Sequence, residues 1–243
     1  MPGVNEAVPV DFHGARGGSA ALTWGQRDVH RGFRLYTPHA GFFNLRGAVR
    51  VPAGTTIPDI AGAVRWLVEE YESLRTTYPA DDAGQTHQLV HRAGRLLLQI
   101  ADLPPGELGP DAPLSGLGAE FRHEHELPLR VVIVRELGRP AWVVLEASHL
   151  SVDALGMSLV RQALRDRLTG TPRPVTSPYH PLDRARHEST PPAVAQSRQA
   201  SAYLTQMLTV HRPPLFAAGA NDGPPLRPKT RLSSPTLGAA ASA

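Results

Sequence analysis

The 243-residue chain contains no cysteine, which excludes a disulfide framework, a zinc–thiolate site and a thiol nucleophile. Aromatic residues make up only 6% of it, and Lys229 is its single lysine. No apolar run approaches the roughly 18 residues that a membrane-crossing helix needs. Met1 to Asn44 has no basic segment followed by an apolar one, so a secretory signal is not expected and a cytoplasmic protein is the default. The 25 basic and 22 acidic residues leave a net charge of +3. These charges are scattered, without aromatic interleaving or a run of five like charges, which reads as a solvated surface and not as a nucleic-acid footprint. Neither nucleic acid nor membrane is an expected partner.

Residues 56–74 carry the strongest helical pattern. Ile57, Ile60, Ala61, Val64, Leu67, Val68, Tyr71 and Leu74 recur at three- and four-residue steps and form one apolar stripe. Thr56 is placed to cap the helix, Pro58 costs no hydrogen bond in the first turn, and Asp59 puts negative charge near the positive end. Strand patterns occur at Val8–Phe12, with an edge position suggested by Pro9, and at Thr86–His91 and Arg95–Ile100. A Pro- and Gly-rich loop is expected from Leu103 to Leu117. Leu129–Arg135 and Ala141–Ala147 read as a hairpin closed by the five residues Glu136 to Pro140. A helix follows from about Asp153 to Leu168, with Gly170 as its stop, and a last one covers Ala193 to Val210. Residues 1–211 are expected to form one lobe. Residues 212–243 are rich in Pro, Ala, Gly and Ser, bury too little to offset ordering entropy, and are expected to be disordered. Strands mixed with helices, and an antiparallel hairpin feeding a helix, argue for an α+β fold of mixed layers.

The segment Glu146-Ala-Ser148-His149-Leu-Ser-Val-Asp153-Ala154 places a histidine where an apolar strand ends and an aspartate where a helix begins. A positioned neutral imidazole can accept a proton from a hydroxyl or an amine, which suits acyl transfer. Asp153 can orient His149, fix the loop through an arginine, or cap the helix. One His-x-x-x-Asp among 11 histidines is within reach of chance.

Three ordered segments together resemble the opening motifs of condensation domains from nonribosomal peptide synthetases. Leu22-Thr-Trp-Gly-Gln26-Arg27 is similar to the family's Ser-x-Ala-Gln-x-Arg. Glu70-Tyr-Glu72-Ser-Leu74-Arg75-Thr76-Thr-Tyr78 is similar to Arg-His-Glu-x-Leu-Arg-Thr-x-Phe. Ser148-His149-Leu-Ser-Val-Asp153-Ala154 is similar to His-His-x-x-x-Asp-Gly. Phe121, Leu127-Pro-Leu-Arg130 and Ala202-Tyr-Leu204 resemble connecting segments, so that the likeness covers residues 20 to about 210. It implies a single N-terminal lobe of the chloramphenicol-acetyltransferase-like fold, with a mixed, largely antiparallel sheet flanked by helices. It further implies that His149 is the catalytic histidine and that Asp153 is structural, paired with Arg27 or Arg75. Ser148 stands where the family has its first histidine, Ala154 where it has glycine, and Glu70-Tyr71 where it has Arg-His. The family's second-lobe motifs are not visible.

The resemblance implies a condensation-type acyltransferase, forming an amide or ester from a thioester on an acyl or peptidyl carrier protein. No cofactor is expected on the chain itself; a 4′-phosphopantetheine is expected on the carrier partner. The alternative is a non-catalytic or truncated lobe, from a shortened reading frame, that binds a carrier protein or a synthetase subunit. Self-association, or a second lobe, is a further way to complete a tunnel. His123-Glu-His125 with His87 and His91 falls short of a metal site, Gly14 to Ser19 lacks the context of a phosphate loop, and Trp24, Trp66 and Trp142 read as core.

Overall fold

The computed structural model describes residues 6–36, 40–108, 114, 116–171 and 179–210. Eight strands and five α-helices alternate along them: β1 (Glu6–His13), β2 (Gly18–Ala21), α1 (Trp24–Tyr36), β3 (Leu45–Arg50), α2 (Ile57–Glu70), β4 (Thr76–Thr77), β5 (His87–Val90), β6 (Ala93–Asp102), β7 (Leu129–Glu136), β8 (Arg139–Ala147), α3 (Ala154–Leu168), α4 (Pro181–Glu188) and α5 (Pro191–Val210). The chain divides into two compact units, Met1–Val194 and Ala195–Ala243. The first holds every strand and α1 to α4; of the second, residues 195–210 continue α5. The segment expected to be disordered, 212–243, lies outside the described residues, as do 109–113 and 115 of the expected loop.

A five-stranded sheet runs in the order β1-β6-β7-β8-β3, and a small one in the order β2-β5-β4. All pairings are antiparallel except β6 with β7, which are parallel, so the fold is the mixed, largely antiparallel α+β lobe expected. β1 is indeed an edge strand, where Pro9 leaves no central ladder bond unmade. One face of the large sheet meets α2 and α3 in the main core, which includes Phe12, Val49, Leu98, Ile133, Leu145, Val64, Leu67 and Leu164. The other face carries a smaller cluster, with Val132, Val134 and Val144 beneath Leu103 and Leu114. Burial on both faces accounts for the unbroken Val131-Val-Ile-Val134 run, which lacks the alternation of a half-exposed strand.

Local chemistry sets the helix ends. Thr56 Oγ1 accepts the Asp59 amide at 3.3 Å and Asp59 Oδ2 accepts the Thr56 amide at 2.9 Å, a reciprocal capping box on α2. The apolar stripe runs on to Leu74, but α2 stops at Glu70 and Glu72–Arg75 form a single 3-10 turn. The cause is Arg75. Its guanidinium, 1% exposed, donates to the carbonyls of Val68 (3.0 Å) and Glu69 (3.3 Å), which the ending helix leaves without partners. It also reaches the carbonyls of Arg16 and His91, and a Cβ on Gly14 would collide with it.

The hairpin departs from expectation in its loop. β7 and β8 extend to Glu136 and Arg139, leaving only Leu137-Gly138 at the turn, both with positive φ (52° and 75°). Two residues of that conformation match the twist of the flanking strands, so pairing continues through residues that read as loop. Of the tryptophans, Trp66 and Trp142 pack against the two cores as expected, whereas Trp24 at the start of α1 is exposed.

Candidate active site

His149 stands in the turn between β8 and α3, and three sequence-distant segments clamp that turn. Ser148 closes the strand: its amide donates to Pro128 O at 3.0 Å, and its carbonyl accepts from the amides of Ser151 (3.0 Å) and Val152 (3.2 Å). Tyr78, buried to 2% exposure, donates its hydroxyl to Leu150 O at 3.1 Å and lies 2.9 Å from Ser151 Oγ. Gln26 Nε2 reaches the same hydroxyl at 3.5 Å, while its Oε1 accepts the Thr23 amide at 2.8 Å. Gln26 is itself located by α1, whose first amide, that of Trp24, donates to Glu188 Oε2 at 2.6 Å. Burial pushes the Tyr78 phenol well above its usual range, so it stays a neutral donor at any physiological pH.

His149 is half-buried, and its Nδ1 is buried without a hydrogen-bond partner. Nε2 is therefore the ring nitrogen available to a substrate. The residue lines a cavity of about 490 Å³, with Gln26 and Val29 of α1, Tyr71 and Ser73 just beyond α2, Leu150 to Asp153, and Tyr179, His180 and Arg184. A larger depression of about 780 Å³ lies elsewhere, between the start of α2 and the end of α3. It holds no histidine and is lined by none of the clamped turn, so the smaller cavity is the candidate site.

Of the other candidates, Asp153 is the N-cap of α3, its Oδ1 accepting the Gly156 amide at 2.6 Å. It forms no ion pair with Arg27 or Arg75. Arg27 is exposed on α1, and Arg75 spends its donors on the four carbonyls described above. Ser148 is fully buried, with its Oγ 2.7 Å from His123 Nε2. Sequence reasoning weighed His123 only as half of a His-x-His pair. In the structure it turns inward, while His125 is exposed, and no group of three metal-ligating side chains occurs among the described residues. Desolvation, reinforced by His30, lowers the His123 imidazole to about 4, which keeps it neutral at pH 7. The pair spans 25 residues of chain, and nothing in local spacing announces it.

No family model matches the chain. Malformin synthetase mlfA of Aspergillus tubingensis is 28% identical over 181 residues, covering 72% of this chain and 4% of that protein. The X-domain of teicoplanin biosynthesis, in complex with OxyB, superposes with a TM-score of 0.60 at 20% identity, covering 84% of this chain and 45% of that one. A double variant of the starter condensation domain of the rhizomide synthetase RzmA, in complex with C8-CoA and Leu-SNAC, gives a TM-score of 0.61 at 15% identity, covering 79% and 45%. The chain thus spans less than half of these structures and a small fraction of the synthetases it matches. Its fold is that of the condensation domains of nonribosomal peptide synthetases, with their mixed sheet and flanking helices. Covering less than half of each, it corresponds to a single lobe of that fold. No described helix is long and apolar enough to cross a membrane.

Proposed function

We propose that the chain acts in condensation-type acyl transfer, with His149 as the proton-handling residue. The observation that supports this most directly is the clamped turn holding a half-buried imidazole against a cavity, one ring nitrogen sealed and the other open. The acyl donor is a thioester on the 4′-phosphopantetheine arm of a carrier protein. An acceptor amine attacks the thioester carbonyl; the C–N bond forms and the C–S bond breaks. The proton lost by the amine passes to His149 Nε2 and then to the departing thiolate, so the products are an amide and a free carrier thiol. A hydroxyl acceptor yields an ester by the same accounting. Asp153 supports the site by starting α3 directly after the turn. The likeness to a starter condensation domain crystallised with C8-CoA and Leu-SNAC agrees with this substrate class. A second lobe or another copy of the chain would cover the open side of the cavity.

The test is turnover of an acyl-loaded carrier protein with an amine acceptor, read for the wild type and for His149→Ala. General base catalysis of this kind contributes about 100-fold or more, so the variant should lose at least that factor while keeping its fold. Wild-type turnover by the variant overturns the reading. A second reading, a lobe that binds a synthetase partner without turnover, draws on the X-domain, which has this fold and is found in complex with OxyB. Carrier binding with no His149-dependent product supports that one instead.

A further inference from the structure

We propose that His123 is a positioning residue for His149, acting through the Ser148 hydroxyl. The proposal rests on the reading of His149 as the proton-handling group, and its own geometry is independent of that reading. Ser148 is the hub of the turn: amide, carbonyl and side chain are all engaged, and it is the residue directly before His149. Its Oγ accepts the Leu150 amide at 3.2 Å, which leaves one hydroxyl proton to place. In a site without exposure, that proton needs an acceptor. Among the described residues the acceptor within reach is His123 Nε2, at 2.7 Å. The hydroxyl therefore donates to a neutral imidazole, whose own proton sits on Nδ1.

His123 is held for this task on every side. Its ring stacks on Phe33 at a centroid distance of 4.8 Å, and its carbonyl accepts the Tyr78 amide at 2.7 Å. The segment bearing it is pinned in turn. Glu146 accepts the Gly118 amide at 2.8 Å, and Arg130 donates to Ala119 O (2.6 Å) and to Glu126 (2.8 Å). Tyr78 thus grips both the imidazole-bearing segment, through its amide, and the His149 turn, through its hydroxyl. Removing the His123 acceptor frees the Ser148 hydroxyl to rotate, and the turn that sets the direction of His149 loses one of its anchors. With the Ser148 proton assigned to His123 Nε2, the coupling is directional and testable.

The experiment follows the imidazole resonances of His149 by NMR in the full chain, with condensation kinetics alongside, for His123→Ala, His123→Gln and Ser148→Ala. The glutamine amide oxygen offers an acceptor near the position of Nε2. His123→Ala and Ser148→Ala should shift the His149 signals, and should lower kcat about 10- to 100-fold with KM changed less than about twofold, the penalty of a misplaced reacting group. His123→Gln should restore both. The proposal is overturned if the His149 signals stay put in both truncations, or if glutamine rescues no better than alanine, since stacking on Phe33 alone would then explain the residue. Should His149→Ala prove fully active, the acyl-transfer reading falls, and the NMR coupling between His123 and His149 still decides this one.

Discussion

At the scale of single residues, the motif around His149 is a set of hydrogen-bond assignments. Asp153 is the clearest case, because its carboxylate caps α3 and makes no arginine contact. Asp153→Ala should then cost about 1 kcal/mol in urea unfolding, while Asp153→Asn, which keeps a capping oxygen, should cost only a few tenths. A loss of equal size in both variants would mean that charge, and not the cap, is what matters. His149, Ser148 and Asp153 could be singled out from the sequence because strand, turn and helix are contiguous there. His123 could not, since its partner lies 25 residues away and its usefulness depends on a stack with Phe33 from α1.

At the scale of elements, legibility followed the size of the buried face. α2 and α3 show clear stripes because they bury six and three apolar side chains against the sheet. α1 spaces Val29, Phe33 and Tyr36 at helical steps, but two glycines interrupt it and only Gln26 and Phe33 of its 13 residues are buried, so it did not read as a helix. α4 buries just Leu182, Ala185 and Glu188, too little for a periodic signal. The β7–β8 hairpin was legible as a pair but not at its tip, where Leu137 takes a φ of 52° that a leucine disfavours. That residue is 85% exposed, so it contributes little packing to set against the strain. Leu137→Asn, forming the Asn-Gly pair preferred in such turns, should raise stability by about 0.5–1 kcal/mol, checked by thermal and urea unfolding.

At the scale of the whole lobe, charge links parts that packing alone would leave separate. Arg16, between β1 and β2, pairs with Glu72 beside α2 and with Asp183 on α4. Hydrogen bonding to Arg16 holds the Asp183 carboxyl down at about 2, below its ordinary 3.8. The unfolded chain therefore takes up that proton first, and the stability this pair contributes, present above about pH 4, drains away as pH falls toward 2. His30, His91 and His123 are also lowered from 6.5, by burial, and they act in a higher window. There the unfolded chain gains protons that the fold refuses, so stability declines as pH drops below about 6.5, down to about 4 for His123. Melting temperature against pH should accordingly fall in two stages. His123→Gln should flatten part of the upper one and Asp183→Asn the lower. A single decline that neither variant alters would contradict this assignment.

The parallel pairing of β6 with β7 bears on the route of folding. Parallel neighbours need a long crossover, and here residues 103–128 make it with no helix in their described part, carrying His123 to the turn on the way. The contacts that enclose His149 then join residues 52, 73 and 25 positions apart. Closures of that span cost chain entropy before they return contact energy, so they complete after the local helices and the hairpin. A lobe released early from the ribosome would hold its histidine at the end of a finished hairpin, with no pocket yet built around it.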